Sequence, residues 1–148
     1  MQSSNRAPRR NNRLWKLVPP IAYTALLLLV SSIPGSVGPE GPRVPTFFLW
    51  LPATVQNFLH VPQYAVLSWL WCRGLASGRD ALHIGIWRAT VLCGVYAIWE
   101  ELYQRWIPGR YSSLTDLIMD AIGIAVGVVL FRGLHRKSER ARLDQRPP

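Results

Sequence analysis

Between residues 99 and 127 the chain sets acids, an amide, a guanidinium and a tight turn between two apolar runs. The order is Trp99, Glu100, Glu101, Leu102, Tyr103 and Gln104, then Ile107, Pro108, Gly109 and Arg110, then Asp116, Asp120, Gly123 and Gly127. Such groups can move a proton or hold a charged headgroup. Glu101 and Gln104 are three apart and share a helix face. Asp116, Asp120, Gly123 and Gly127 step by four, three and four, which is one continuous stripe. The two glycines let a neighbouring helix approach closely, inside the chain or in a homodimer. Arg110 is the expected neutraliser of one or both aspartates, because buried carboxylates seldom stay unpaired.

Each of these residues has a plainer reading as well. Ser113-Leu114-Thr115-Asp116 is a capping box, with Ser113 as N-cap and the acid reaching back to its amide. Glu100 reads as a rim carboxylate facing water. Asp120, one turn deeper, has no capping role to explain it. His60 and Tyr64 are four apart at the start of an earlier apolar run, so they face one way; a histidine there is commonly a hydrogen-bonded boundary residue. No HxH, HxxxH or HExxH spacing points to a metal, and no Gly-rich loop or nucleophile elbow points to a cofactor or a Ser enzyme.

The surrounding chain must hold these groups in place. It has 148 residues, 49% of them hydrophobic, and seven Trp, which fits one small domain. Charged residues make up only 17% and gather at the two ends. That distribution excludes charge from apolar runs, as membrane spans require, and does not lay a basic stripe along one face as a nucleic-acid binder would. The net charge of +9 is therefore read as positive-inside bias and attraction to membrane lipids. Cys72 and Cys93 both fall in apolar runs and read as buried free thiols.

Four spans are expected, from Leu17 to Ile33, His60 to Ala76, about Leu82 to Tyr103, and about Leu114 to Leu134. Pro19-Pro20 fits the first turn of the first helix, which is read as retained, with a cleaved signal peptide as the competing reading. Residues 34–45 are rich in Pro and Gly and read as a loop, followed by an interfacial segment with Phe47, Phe48 and Trp50. Residues 1–13 form a disordered basic tail, 14–134 the membrane domain, and 135–148 a basic C-terminal tail. The N-terminal segment, the 73–88 loop and the C-terminal segment hold fourteen Arg and Lys, against only Arg43, Arg105 and Arg110 on the other side. Both termini are thus expected in the cytoplasm, with the polar stretch at the outer face.

With these residues in hand, the chain resembles the VanZ-like membrane proteins. The resemblance rests on Glu101-x-x-Gln104, Pro108-Gly109-Arg110, Asp116, Gly123 and Gly127. It extends to Ser31-Ser32-Ile33-Pro34 and to His60-x-x-x-Tyr64-Ala65-Val66-Leu67, covering about residues 17 to 132. Two positions depart from the family pattern: Gln56 and Asn57 replace a common Asp-Lys pair, and Asp120 stands where Asn is usual. The resemblance implies an all-α, four-helix integral membrane protein of the bacterial cell envelope. Its named member is associated with resistance to teicoplanin, which implies a candidate role in glycopeptide antibiotic resistance.

Two function classes follow from the residues. One is a binding protein for a lipid-linked or glycopeptide-type ligand, held by His60, Tyr64, Glu101, Gln104, Arg110, Asp116 and Asp120. The other is a membrane-embedded enzyme acting on a lipid headgroup or cell-wall precursor. In it Glu101 or Asp120 would be the general base and His60 the acid. A proton pathway ranks below both, because the fourth span offers no polar relay beyond Gly123.

Overall fold

The computed structural model describes residues 12–34, 53–76, 79–110 and 113–145. They form four helices, α1 (Asn12–Ser31), α2 (Ala53–Leu75), α3 (Arg79–Gln104) and α4 (Leu114–Asp144), with no strand among the described residues. The all-α expectation holds. The Pro/Gly-rich loop, Phe47, Phe48, Trp50 and the first eleven residues lie outside the described residues.

Interhelical contacts set an up–down–up–down arrangement. The end of α1 meets the end of α3 through Ser31 and Glu100, while α2 and α4 run parallel, Gly123 over Val61 and Gly127 over Ala65. α2 packs most heavily, chiefly against α4, and like α3 touches all three other helices, whereas α1 and α4 do not touch among the described residues. That central position explains the composition of α2. α1, α3 and α4 are long and apolar enough to cross a membrane; α2 falls short by hydropathy. Its polar residues look inward instead: Tyr64, Ser68 and Cys72 are fully buried, beside the apolar Leu67. Lipid need not solvate a helix that its neighbours cover.

The core is built from small and polar groups as much as from bulk. One cluster joins Leu27, Tyr64, Leu67, Cys93, Ala97 and Ile124. A second, toward the opposite end, joins Cys72, Ile86, Ala89 and Phe131. The two thiols are free and sit in separate clusters. Large apolar side chains such as Leu29, Val95 and Val129 are exposed along the outside. Against water this would be a large apolar surface; against lipid it is the expected exterior.

The tightest packing is between α2 and α4. A Cβ at Gly123 would lie 2.5 Å from the Val61 carbonyl and 2.8 Å from Tyr64 Cβ. At Gly127 it would collide with Ser68 Oγ and the Ala65 carbonyl. Ser68 Oγ then donates within this contact, 3.1 Å from the Ile124 carbonyl and 3.2 Å from that of Ala65. The glycine stripe is thus occupied inside the chain, and a homodimer through it would have to displace α2.

Two boundaries differ from expectation. α1 begins at Asn12, so Pro19 and Pro20 lie in its interior and not in its first turn. Pro20 has no N–H to offer the carbonyl four residues earlier. That carbonyl, on Lys16, lies over Gly74, where a Cβ would be 3.1 Å away. α4 runs 31 residues to Asp144, about 46 Å at 1.5 Å per residue. Much of the basic C-terminal segment is therefore the last turns of a continuous helix that outreaches a hydrocarbon core of about 30 Å.

Candidate functional site

One end of the bundle collects the last turn of α1, the first turns of α2 and α4, and the last turns of α3. Its centre is a pair between α2 and α4: His60 Nδ1 lies 2.8 Å from Asp120 Oδ1. Gly123 makes this possible, because the close approach of the two helices puts Asp120 and His60 at one level. Tyr64, one turn along α2, lies nearly parallel to the His60 ring, 7° between planes with centroids 6.4 Å apart.

Glu100 corrects the sequence reading. It does not face water; it is 5% exposed. The Tyr64 hydroxyl donates to its Oε2 and the Ser31 hydroxyl to its Oε1. Removing a carboxylate from water costs several kcal/mol unless its oxygens are bonded, and here both are. A signal for this burial was present in the sequence. Glu100 is three residues after Ala97 and four before Gln104, so it shares the buried stripe that Gln104 marks.

Glu101 reaches across to α4 and accepts from the Ser113 amide at 3.2 Å. Ser113 is the N-cap of α4, as the sequence indicates, its side chain accepting from the Thr115 amide at 3.0 Å. The reciprocal half of the expected capping box is thus taken by Glu101 of α3. Gly109 turns the chain with φ 73°, in the left-handed region that glycine adopts without strain.

Arg110 departs from expectation. It does not pair with Asp116 or Asp120. Its Nε donates to the Ile33 carbonyl at 3.1 Å and one terminal nitrogen to that of Val30 at 3.0 Å. These are carbonyls at the end of α1; that of Val30 also accepts from the Ile33 amide at 3.2 Å, and that of Ile33 lies past the last helical residue. Burial pulls the guanidinium below its ordinary pKa while the charge of Glu100 opposes that shift, and an arginine still remains a cation at neutral pH. Arg110 therefore fastens α1 to the turn after α3, and His60 takes the role of partner to Asp120.

The remaining site residues form the surroundings. Gln104 and Asp116 are buried. An aromatic row runs from Tyr64 through Tyr96 and Trp99 to Tyr103, with centroid steps of 6.3, 5.9 and 5.2 Å. Ser32 Oγ and Tyr103 OH lie 3.0 Å apart and tie α1 to its far end. Trp106 is 85% exposed and stands outside this row. A groove between α3 and α4 is lined by Ile98, Leu102, Leu114 and Leu117, with Glu101, Arg105 and Ser113 as its polar members. Arg105 joins the set only through the fold, because nothing in its local spacing ties it to α4.

Among the described residues, Asp120 Oδ2 and Asp116 Oδ1 are buried with no hydrogen-bond partner. One donor atom each from His60, Glu101 and Asp120 lie within 4.8 Å of one another. Absence of an HxH-type spacing did not speak to this group, whose members come from three different helices. The arrangement can bind a cationic group, and it can orient an imidazole by a carboxylate for proton transfer.

A family model described as VanZ/LLP1 matches residues 3–135. No curated protein and no solved structure matches the chain.

Proposed function

The chain belongs to the VanZ/LLP1 family of membrane proteins, and from that premise we propose that its polar end binds a lipid-linked or glycopeptide-type ligand at the outer face of the cell membrane. One observation carries the reading. A groove with four apolar walls, open along α3 and α4, runs onto Glu101 and Arg105 beside the partly buried His60–Asp120 pair. An acyl or polyprenyl chain suits the apolar walls, and a phosphate or amine headgroup suits the ionisable floor. The side of the membrane is argued from charge. Lys16, Arg73 and Arg88 stand toward the opposite end, with the basic turns of α4. The positive-inside tendency supports a cytoplasmic position for that end.

The test uses a strain lacking its own copy, complemented with wild type, Glu101→Gln or Leu117→Trp, the last filling the groove. Both variants are expected to be inserted at wild-type levels. They should fail to restore teicoplanin resistance and envelope integrity to what the wild-type gene gives. Full complementation by both would remove the basis of the reading.

A second reading, an enzyme acting on a lipid headgroup or cell-wall precursor, is favoured by the His60–Asp120 geometry. A carboxylate 2.8 Å from Nδ1 fixes the ring tautomer and leaves the far nitrogen free to exchange a proton. Membrane lipid and precursor profiles that stay identical between wild type and His60→Gln would count against it.

A further inference from the structure

We propose that His60, Glu101 and Asp120 form a site for one divalent transition-metal ion, buried between α2, α3 and α4. This goes beyond the groove reading and is independent of it, because metal occupancy is read without any lipid or glycopeptide.

Geometry is the first support. The three donor atoms lie within 4.8 Å of one another. Ligands that share a zinc-like ion at about 2.0–2.2 Å lie about 3–3.5 Å apart, so small side-chain rotations close the set. His60 and Asp120 are already in contact at 2.8 Å.

The second support is an oxygen that folding leaves without a role. Asp120 is 1% exposed, and its Oδ2 has no hydrogen-bond partner among the described residues. One turn earlier on the same face, Asp116 is 5% exposed and its Oδ1 is equally without one. Buried polar atoms in native proteins are nearly always satisfied, and an ion is one of the standard ways.

Charge is the third. Glu100, Glu101, Asp116 and Asp120 crowd one end of the bundle. Glu100 is satisfied by two hydroxyls, and Arg110 directs its N–H groups to the carbonyls of α1. Asp116 and Asp120 then face one imidazole, in a setting where unpaired charge is costly. A dication restores the balance.

Donor type selects the ion. An imidazole with two carboxylates suits Zn²⁺, Co²⁺, Mn²⁺ or Fe²⁺, whereas Mg²⁺ and Ca²⁺ favour all-oxygen shells. Three protein ligands leave a coordination position open, the pattern of sites that bind a further group rather than only brace a fold.

The test is on the full chain purified in detergent micelles, stripped with EDTA and titrated with Zn²⁺ and with Co²⁺. One ion per chain is expected by mass spectrometry of the metal, with the visible d–d bands of low-symmetry Co²⁺. Asp120→Asn keeps size and an acceptor for His60, so it should fold, and it should weaken binding at least about tenfold. His60→Ala should do the same. His135→Ala removes a histidine near the far end of α4 and should leave affinity unchanged. Each variant is compared only after circular dichroism and gel filtration match wild type; Glu101→Gln replaces any that fail. No stoichiometric ion in the wild type would mean that protons balance the carboxylates, and would overturn the proposal. So would affinity kept within twofold in the ligand variants, or lost in His135→Ala.

Discussion

α4 is one continuous helix with two unlike halves. From Leu114 to Gly127 it buries Asp116, Asp120, Gly123, Ile124 and Gly127; from Val128 onward it buries only Phe131. Each half carries an acid paired with a histidine. In the first, Asp120 meets His60 of another helix at 2.8 Å and is fully buried. In the second, His135 and Glu139 are four apart on the same helix, 3.9 Å from each other and partly exposed. The difference teaches what gives an acid consequence here. A pair along one helix in contact with solvent adds little. A pair that bridges two helices in a protected interior fixes their register and leaves a polar atom to be answered.

The comparison breaks most easily at the glycines. Gly127→Ala places a methyl group against Ser68 and the Ala65 carbonyl, and should destabilise the protein by about 3 kcal/mol, the upper range for overpacking. Gly133→Ala meets nothing within 4 Å and should be neutral or stabilise by about 0.5–1 kcal/mol, as an added helix former does. Unfolding in detergent, followed by circular dichroism, measures both. Equal losses would mean the two halves do not differ in packing.

The acid pairs give a smaller contrast. Asp120→Ala leaves His60 without its interhelical partner and should cost about 1–2 kcal/mol, within the range for buried bonds and for contacts between membrane helices. Glu139→Ala should change stability by less than about 0.5 kcal/mol. A cost for Glu139→Ala as large as that for Asp120→Ala would remove burial as the deciding factor. Smallest of all, Arg140→Gln with Arg142→Gln, both exposed, should leave the unfolding midpoint within about ±0.5 kcal/mol of wild type.

What the sequence could reveal was whatever repeats along one helix. The stripe Asp116, Asp120, Gly123 and Gly127 was legible because 3.6-residue periodicity puts those positions on one side, and all four are buried. Ser113 as N-cap and the turn at Gly109 were legible for the same local reason. Relations between helices were not. Glu100 looked like a rim residue until Tyr64 and Ser31 supplied hydroxyls from 36 and 69 positions away. Arg110 looked like the partner of the aspartates because charge alone cannot tell a carboxylate from the carbonyls at a helix end. The hydropathy of α2 reads low because its surroundings are protein rather than lipid. The two prolines of α1 looked like a helix start, since composition does not say how far upstream the backbone already turns.

The Arg110 contacts carry a consequence for how the chain is made. Its partners, the carbonyls of Val30 and Ile33, precede it by 80 and 77 positions. At roughly 5–20 residues per second, a ribosome needs about 4–16 s to cover that distance. For that interval the Ile33 carbonyl lacks its Arg110 donor and is served by water or by the insertion machinery, while that of Val30 keeps the Ile33 amide. A nascent chain arrested before residue 100 should leave a cysteine placed at Ser31, 4% exposed in the folded chain, open to a water-soluble maleimide, and one arrested well beyond residue 110 should not.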